Sequence, residues 1–155
     1  MTEETIFHKI VRGEAPCHKV WEDENFLAFL SIFPNTPGVT VVIPKEWQPS
    51  DVAQVDPEVV CALMRAVQTV SRKITRALPD VGRVGVVFEG FGVDYLHAKL
   101  FPMHGTADMD QWRPIENART EVYETYPGYI SSHDAARADD AELARIAAQI
   151  RDADV

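Results

Sequence analysis

The residues best suited to chemistry sit together in the run Val93-Asp94-Tyr95-Leu96-His97-Ala98-Lys99-Leu100-Phe101-Pro102. Read as a β-strand, the run alternates, with Leu96, Ala98 and Leu100 on one face and Tyr95, His97, Lys99 and Phe101 on the other. Residues two apart on a strand face lie about 6–7 Å from each other, so an imidazole at 97 and an ammonium at 99 can both touch one phosphate. A neutral imidazole is a competent nucleophile toward phosphorus near pH 7, and a lysine ammonium offsets charge on the non-bridging oxygens. The same alternation also describes a solvated strand face, which is the commoner meaning of such a pattern. Tyr95 and Phe101 argue against full exposure, although a helix or a second chain can cover them. His104, between Met103 and Gly105, reads either as a pocket-edge residue or as a loop histidine without a role.

Other histidines and thiols give weaker signals. His8 and His18 lack a partner at metal-ligand spacing, and His133 beside Asp134 reads as a loop or helix-entry pair. Cys17 and Cys61 likewise have no close partner at zinc or redox spacing, and both read as buried or half-buried thiols.

The elements that would position His97 follow from periodicity. Ile6, Phe7, Ile10 and Val11 recur at helical spacing within residues 2–12, and Gly13 stands where a C-terminal cap belongs. Lys19 to Glu22 and Phe26 to Ser31 flank the polar turn Asp23-Glu24-Asn25 and predict a hairpin. After the breaker Pro34-Asn35-Thr36-Pro37-Gly38, the β-branched run Val39 to Ile43 predicts a third strand, stopped by Pro44. Asp56-Pro57-Glu58 is a helix start, and Val60, Leu63, Val67, Val70, Ile74 and Leu78 place one stripe of a long central helix against a core, with Arg65, Arg72 and Arg76 opposite. Val84 to Phe88 and Val93 to Phe101 read as two more strands joined through Glu89-Gly90-Phe91-Gly92. Residues 105–135 lack a clear period, and they leave the tyrosines at 123, 126 and 129, with Trp112, unassigned. Asp139 to Glu142 resembles a capping box for a terminal helix carrying Leu143, Ile146, Ala147 and Ile150.

Strands in runs, with a hairpin at each end, predict an α+β fold with a mainly antiparallel five-stranded sheet, a long central helix and helices at both termini. A doubly wound parallel sheet is the alternative, but it needs a helix between nearly every pair of strands, and one such crossover is visible. The 155 residues favour one domain, 1–155, in which 105–155 form a less patterned extension ending in a helix.

Composition restricts the partners. Fifteen basic against twenty-four acidic residues give a net charge of −9, with a pI near 4.9. This disfavours nucleic acid and anionic membrane surfaces but leaves room for a small phosphorylated ligand held by a few local donors. With 46% hydrophobic and 25% charged residues, the chain has the proportions of an ordinary folded domain. Glu3 and Glu4 stand where a secretory leader carries basic residues, and the apolar runs are too short to span a bilayer, so a cytoplasmic location is expected.

Several stretches together resemble one family. Ile6-Phe7-His8-Lys9-Ile10-Val11-Arg12-Gly13-Glu14-Ala15-Pro16, Val20-Trp21-Glu22-Asp23, Phe26-Leu27-Ala28-Phe29-Leu30 and Pro37 to Lys45 are similar to the N-terminal half of histidine-triad (HIT) proteins, and the likeness extends to Pro102. It implies a five-stranded antiparallel sheet that binds a nucleotide, usually in a homodimer, with no cofactor. The family's signature strand carries histidines at three alternate positions, and here those positions hold Tyr95, His97 and Lys99.

With Val93 and Leu100-Phe101-Pro102 in their family places, His97 falls at the middle position, the family's nucleophile. A shift of two residues would put Lys99 there instead. The first register implies attack by His97 on an α-phosphate, a nucleotidyl-histidine intermediate and transfer to water, with Lys99 as phosphate ligand. Its substrates would be nucleoside phosphates of the dinucleoside polyphosphate or phosphoramidate class. The alternative is a non-catalytic nucleotide-binding or interaction module with a degenerate triad.

By the same resemblance, Ile6, Phe7, Ile10, Phe29 and Ile32 form the base-binding wall. Ser31 takes the place of a ribose-binding aspartate, Phe91 falls near a phosphate-contacting glutamine, and Val39 replaces a histidine. Tyr95 and His104 join the expected substrate-binding set. Thr5, His8 and Trp47 stand where zinc-binding members have ligands, so no metal is expected.

Overall fold

Backbone hydrogen bonding and side-chain caps set the element boundaries. The computed structural model describes residues 4–107 and 136–154. Helix α1 covers Ile6–Val11, beginning later than the periodicity predicts. Thr5 is extended there, and its N–H donates to His8 Nδ1 at 3.0 Å. Gly13 ends the helix with φ +74°, where its own N–H reaches the Ile10 carbonyl and the Glu14 N–H the Lys9 carbonyl. The left-handed conformation favours glycine at this position.

Five strands follow: β1 Lys19–Glu22, β2 Phe26–Leu30, β3 Thr40–Pro44, β4 Val81–Val87 and β5 Ala98–His104. Between β1 and β2, Asp23 Oδ1 accepts from the N–H groups of Asn25 and Phe26 and so locks the predicted turn. The sheet order is β1-β2-β3-β5-β4 and every neighbouring pair is antiparallel, which excludes the parallel alternative.

Two strand boundaries differ from expectation. Strand β4 starts at Val81 because the chain re-pairs there with His104 across an irregularity between Val81 and Val84. Strand β5 starts at Ala98 instead of Val93, because Leu96 gives its N–H to the Gln48 carbonyl rather than to a neighbouring strand. The predicted tyrosines 123, 126 and 129, Trp112 and His133 lie outside the described residues.

Helix α2, Pro57–Ala77, is capped by Asp56, whose carboxylate accepts from the Glu58 N–H. Helix α3, Asp140–Arg151, is capped in the same way by Asp139 through the Glu142 N–H. Strand alternation divides the sheet into two faces. Ala28 and Leu30 of β2, Val42 of β3, and Ala98 and Leu100 of β5 meet Leu63, Val67, Val70 and Ile74 of α2 and Ile146 and Ile150 of α3 in one large core. Leu27 and Phe29 of β2, with Val41 and Ile43 of β3, point the other way and join Phe7 of α1 and Tyr95 in a smaller cluster. Cys17 is half-buried as predicted, but Cys61 is exposed, because it lies on α2 outside the stripe that Leu63 and Val67 bury.

Candidate active site

His97 is held from both sides in sequence. The segment before β5 departs from strand pairing, so its positions are fixed by a second loop, residues 45–50. Trp47 Nε1 donates to the Asp94 carbonyl at 3.0 Å, the Ser50 N–H donates to Asp94 Oδ1 at 3.3 Å, and the Leu96 N–H meets the Gln48 carbonyl. Gly90, with φ +68°, passes so near that a Cβ there would stand 2.7 Å from the Ser50 carbonyl oxygen. Only glycine fits that approach.

Tyr95 completes the clasp. Its hydroxyl donates to the Pro44 carbonyl at 2.9 Å, with the Lys45 carbonyl at 3.1 Å. Its ring packs edge-on against Phe7 and His8, and burial pushes the phenol pKa up to about 12.

The His97 side chain is 3% exposed. Its Nδ1 lies 2.7 Å from the Tyr95 carbonyl oxygen. A carbonyl only accepts, so Nδ1 carries the proton and the lone pair resides on Nε2. No buried side-chain nitrogen or oxygen among the described residues lacks a partner, and Nε2 has no bonded group; it therefore opens onto the cavity that His97 lines. Burial, the dominant influence, holds the imidazole below its usual pKa of 6.5; the Lys99 charge pushes the same way, against the Tyr95 carbonyl and Glu89. The ring is neutral at pH 7, the form needed for nucleophilic attack.

That cavity, about 450 Å³, opens on the α1 side of the sheet. Its predicted residues arrive from separate elements: Ile6, Phe7 and Ile10 from α1, Phe29 from β2, Ser31 and Ile32 from the following loop, Phe91 from the turn after β4, and His97 and Lys99 at the start of β5. Phe7 meets both Phe29 and His97 edge-to-face, with centroids 5.5 and 5.4 Å apart. Phe91 is 69% exposed at the mouth, flanked by the positive-φ residues Gly90 and Gly92. The Ser31 hydroxyl already accepts from the Phe33 N–H at 3.2 Å.

Two nominated residues stand elsewhere. Tyr95 shares the face of His97 and packs on the same Phe7 ring, but it does not line the cavity, because its hydroxyl is turned to the Pro44 and Lys45 carbonyls. His104 lies at the far end of β5, where Nδ1 meets Asp80 Oδ2 and Nε2 the Pro37 carbonyl, both at 2.9 Å. Donation from both nitrogens requires the imidazolium. Partial burial opposes this most strongly, but the Pro37 carbonyl and the Asp80 carboxylate together raise the pKa. Thr5, His8 and Trp47 are occupied by hydrogen bonds of the fold, and no cluster of metal-ligating side chains occurs among the described residues.

Sequence reasoning missed Glu89, which it treated as part of a turn. Its Oε1 lies 2.6 Å from Lys99 Nζ, with the two side chains 13% and 18% exposed. The cavity wall also includes Cys17, Val41 and Val93, and burial raises the Cys17 thiol pKa. Alternation along β3 could have found Val41, whereas Cys17 and Glu89 enter through tertiary contacts.

Comparison with known proteins gives a consistent result. The HIT domain family matches residues 12–119. The protein hit of Bacillus subtilis is 34% identical over 110 residues, covering 68% of this chain and 75% of that protein. The adenosine 5'-monophosphoramidase of Schizosaccharomyces pombe is 34% identical over 101 residues, covering 63% and 72%. An adenylylsulfatase of Arabidopsis thaliana is 35% identical over 77 residues, 50% of this chain but 39% of that longer protein. Among solved structures, a Hit-like protein of Bartonella henselae superposes with a TM-score of 0.67 at 25% identity, covering 94% of this chain and 92% of that one.

Proposed function

The chain belongs to the HIT domain family, and from that membership and the cavity's geometry we propose that it binds a nucleoside phosphate and cleaves it through His97. The observation that carries this reading is a buried histidine with Nδ1–H committed to the Tyr95 carbonyl and Nε2 open to a cavity with apolar walls. The base sits among Ile6, Phe7, Ile10, Phe29 and Ile32, and the phosphate lies toward His97 and Lys99. The named activities of the fission yeast phosphoramidase and the plant adenylylsulfatase support this substrate class.

In the proposed reaction, Nε2 attacks the α-phosphorus, the P–N bond forms, and the leaving group departs with its electron pair and takes a proton. Water then attacks the same phosphorus and loses a proton, the P–N bond breaks, and the nucleoside monophosphate leaves with the imidazole restored. Hydrogen bonding to Tyr95 fixes the tautomer and supports the positive charge that develops on the ring. Lys99 steadies the phosphate oxygens. The working unit is proposed as one domain, supported by α3 packing into the α2 core, forming a homodimer in the cytoplasm.

The test is hydrolysis of adenosine 5'-monophosphoramidate and diadenosine polyphosphates, with acid-quenched protein examined by mass spectrometry for an adenylyl adduct on His97. A wild-type protein that turns over none of this panel and forms no adduct refutes the enzymatic reading. The second reading, a binding module without chemistry, is favoured by the use of the Ser31 hydroxyl within the fold and of Lys99 by Glu89. Calorimetric binding of AMP without turnover selects it.

A further inference from the structure

This inference rests on the reading that a nucleoside occupies the cavity beside His97, and it concerns His104. Ser31, Ile32 and Phe33 line that cavity, and all three belong to the loop between β2 and β3. The Ser31 N–H closes the neck of the loop by donating to the Val39 carbonyl at 2.9 Å, and the Ala138 N–H donates to the Ile32 carbonyl at the same distance. The returning arm, Pro37-Gly38, lies against the core. A Cβ at Gly38, where φ is +86°, would stand 3.2 Å from both Leu78 Cδ1 and Pro102 Cγ.

His104 fastens this arm from outside the cavity. It ends β5, about 20 Å along the strand from the end beside His97. Its Nδ1 meets Asp80 Oδ2 and its Nε2 the Pro37 carbonyl, both at 2.9 Å. Both partners are acceptors, so the protonated ring serves the two together and a neutral ring serves one. The carboxylate is the stronger acceptor and holds the remaining proton, so the bond to Pro37 is the one given up. Asp80, from the turn before β4, is the titratable group that faces the ring among the described residues, with Val81 of β4 paired beside it. The His104 side chain is 29% exposed, so water weakens the ion pair and the fastening is modest.

We propose that His104 is a positioning residue for the nucleoside: its protonated ring fastens the β2–β3 loop to Asp80 and so holds Ile32 and Phe33 in place on the cavity wall. Nucleoside affinity therefore falls as pH rises through the His104 titration, although His104 touches no ligand. Activity at saturating substrate stays level there, and KM carries the effect. His97 titrates below 6.5 and His104 above it, so the two act on different sides of that value.

The experiment is calorimetric titration of the full chain with adenosine, which keeps no charge between pH 6 and 9, beside ligand-free NMR of the Ile32 methyls and the Phe33 ring. In the wild type, affinity falls about three- to tenfold across the His104 midpoint, as expected where the released wall is in place about a third to a tenth of the time. The Ile32 and Phe33 signals shift with that midpoint, and Asp80→Asn moves it to lower pH. His104→Asn, whose amide reaches Asp80 but not Pro37, binds at the weak value at every pH. His104→Gln, whose amide takes the place of Nε2, keeps most of the affinity without the pH dependence. A folded His104→Asn that binds as the wild type does at pH 6, or wild-type affinity that is flat across the midpoint, overturns the proposal. If the wild type binds neither adenosine nor AMP, the nucleotide reading itself falls. In that case, and where AMP alone binds, the ligand-free spectra decide: Ile32 and Phe33 signals that ignore the His104 midpoint overturn the fastening.

Discussion

The two faces of the sheet are built from the same strands and end in opposite states. On one, the 21-residue α2, with α3 beside it, closes over Ala28, Leu30, Val42, Ala98 and Leu100 and leaves a sealed apolar core. On the other, the six-residue α1 covers Leu27, Phe29, Val41 and Ile43 only in part, and the uncovered area becomes a cavity with His97 at its wall. The proposed binding site is the part of a core that its covering helix is too short to close.

The largest effect is expected on the open face. His97→Ala should lower kcat/KM for adenosine 5'-monophosphoramidate by at least about 10⁴-fold, because the nucleophile itself is removed, with the fold retained at a cost of about 1–3 kcal/mol for the lost contact to the Tyr95 carbonyl. Circular dichroism melting measured alongside the assay checks both halves, and retained turnover would move the chemistry to another residue. On the closed face, Leu63→Ala should cost about 2–5 kcal/mol of stability in urea denaturation, since Leu63 is wholly buried under the sheet. A cost below 1 kcal/mol would mean that the core can collapse around the lost volume.

Tyr95→Phe tests the seam between the faces. It removes the donor to the Pro44 and Lys45 carbonyls and should cost about 1–2 kcal/mol in denaturation. Turnover should fall too, because Tyr95 anchors the segment whose carbonyl orients His97.

His97 and His104 should respond to pH with opposite signs. His97 has its folded pKa below 6.5, so the unfolded chain binds more protons in the window between the folded value and 6.5, and stability rises with pH there. Activity should be level through neutral pH and fall only below 6.5, as the nucleophile protonates. His104 has its folded pKa above 6.5, so its contribution is complete below 6.5 and is lost as pH rises through the folded value. Denaturation between pH 5 and 8 in His97→Asn and His104→Asn separates the two slopes, and equal slopes would contradict the assigned protonation states.

The smallest change is expected at the rim. Ile32→Ala, at a half-exposed position, should shift stability by less than about 0.5 kcal/mol while weakening AMP binding a few-fold by calorimetry.

The strand alternation, the caps at Asp56 and Asp139, the glycine at 13 and the apolar stripe of α2 were readable along the chain, because each is a local or periodic property of neighbouring residues. The same periodicity, with the family likeness, brought Phe29, His97 and Lys99 to one surface. It put Tyr95 on the face it occupies, but it could not show that the hydroxyl turns to the Pro44 and Lys45 carbonyls, which lie far away in sequence. It passed over Glu89 and gave Trp47 only as a position compared with zinc ligands, for the same reason: each acquires its structural role from a partner ten or more residues away.

Order along the chain thus decided which residues form strands and helices and which faces they bury, since those choices depend on spacing alone. Folding in three dimensions decided that one histidine is buried at a cavity with its pKa lowered while another is bridged between Asp80 and Pro37 with its pKa raised, because desolvation and charge pairing arise only when distant segments meet.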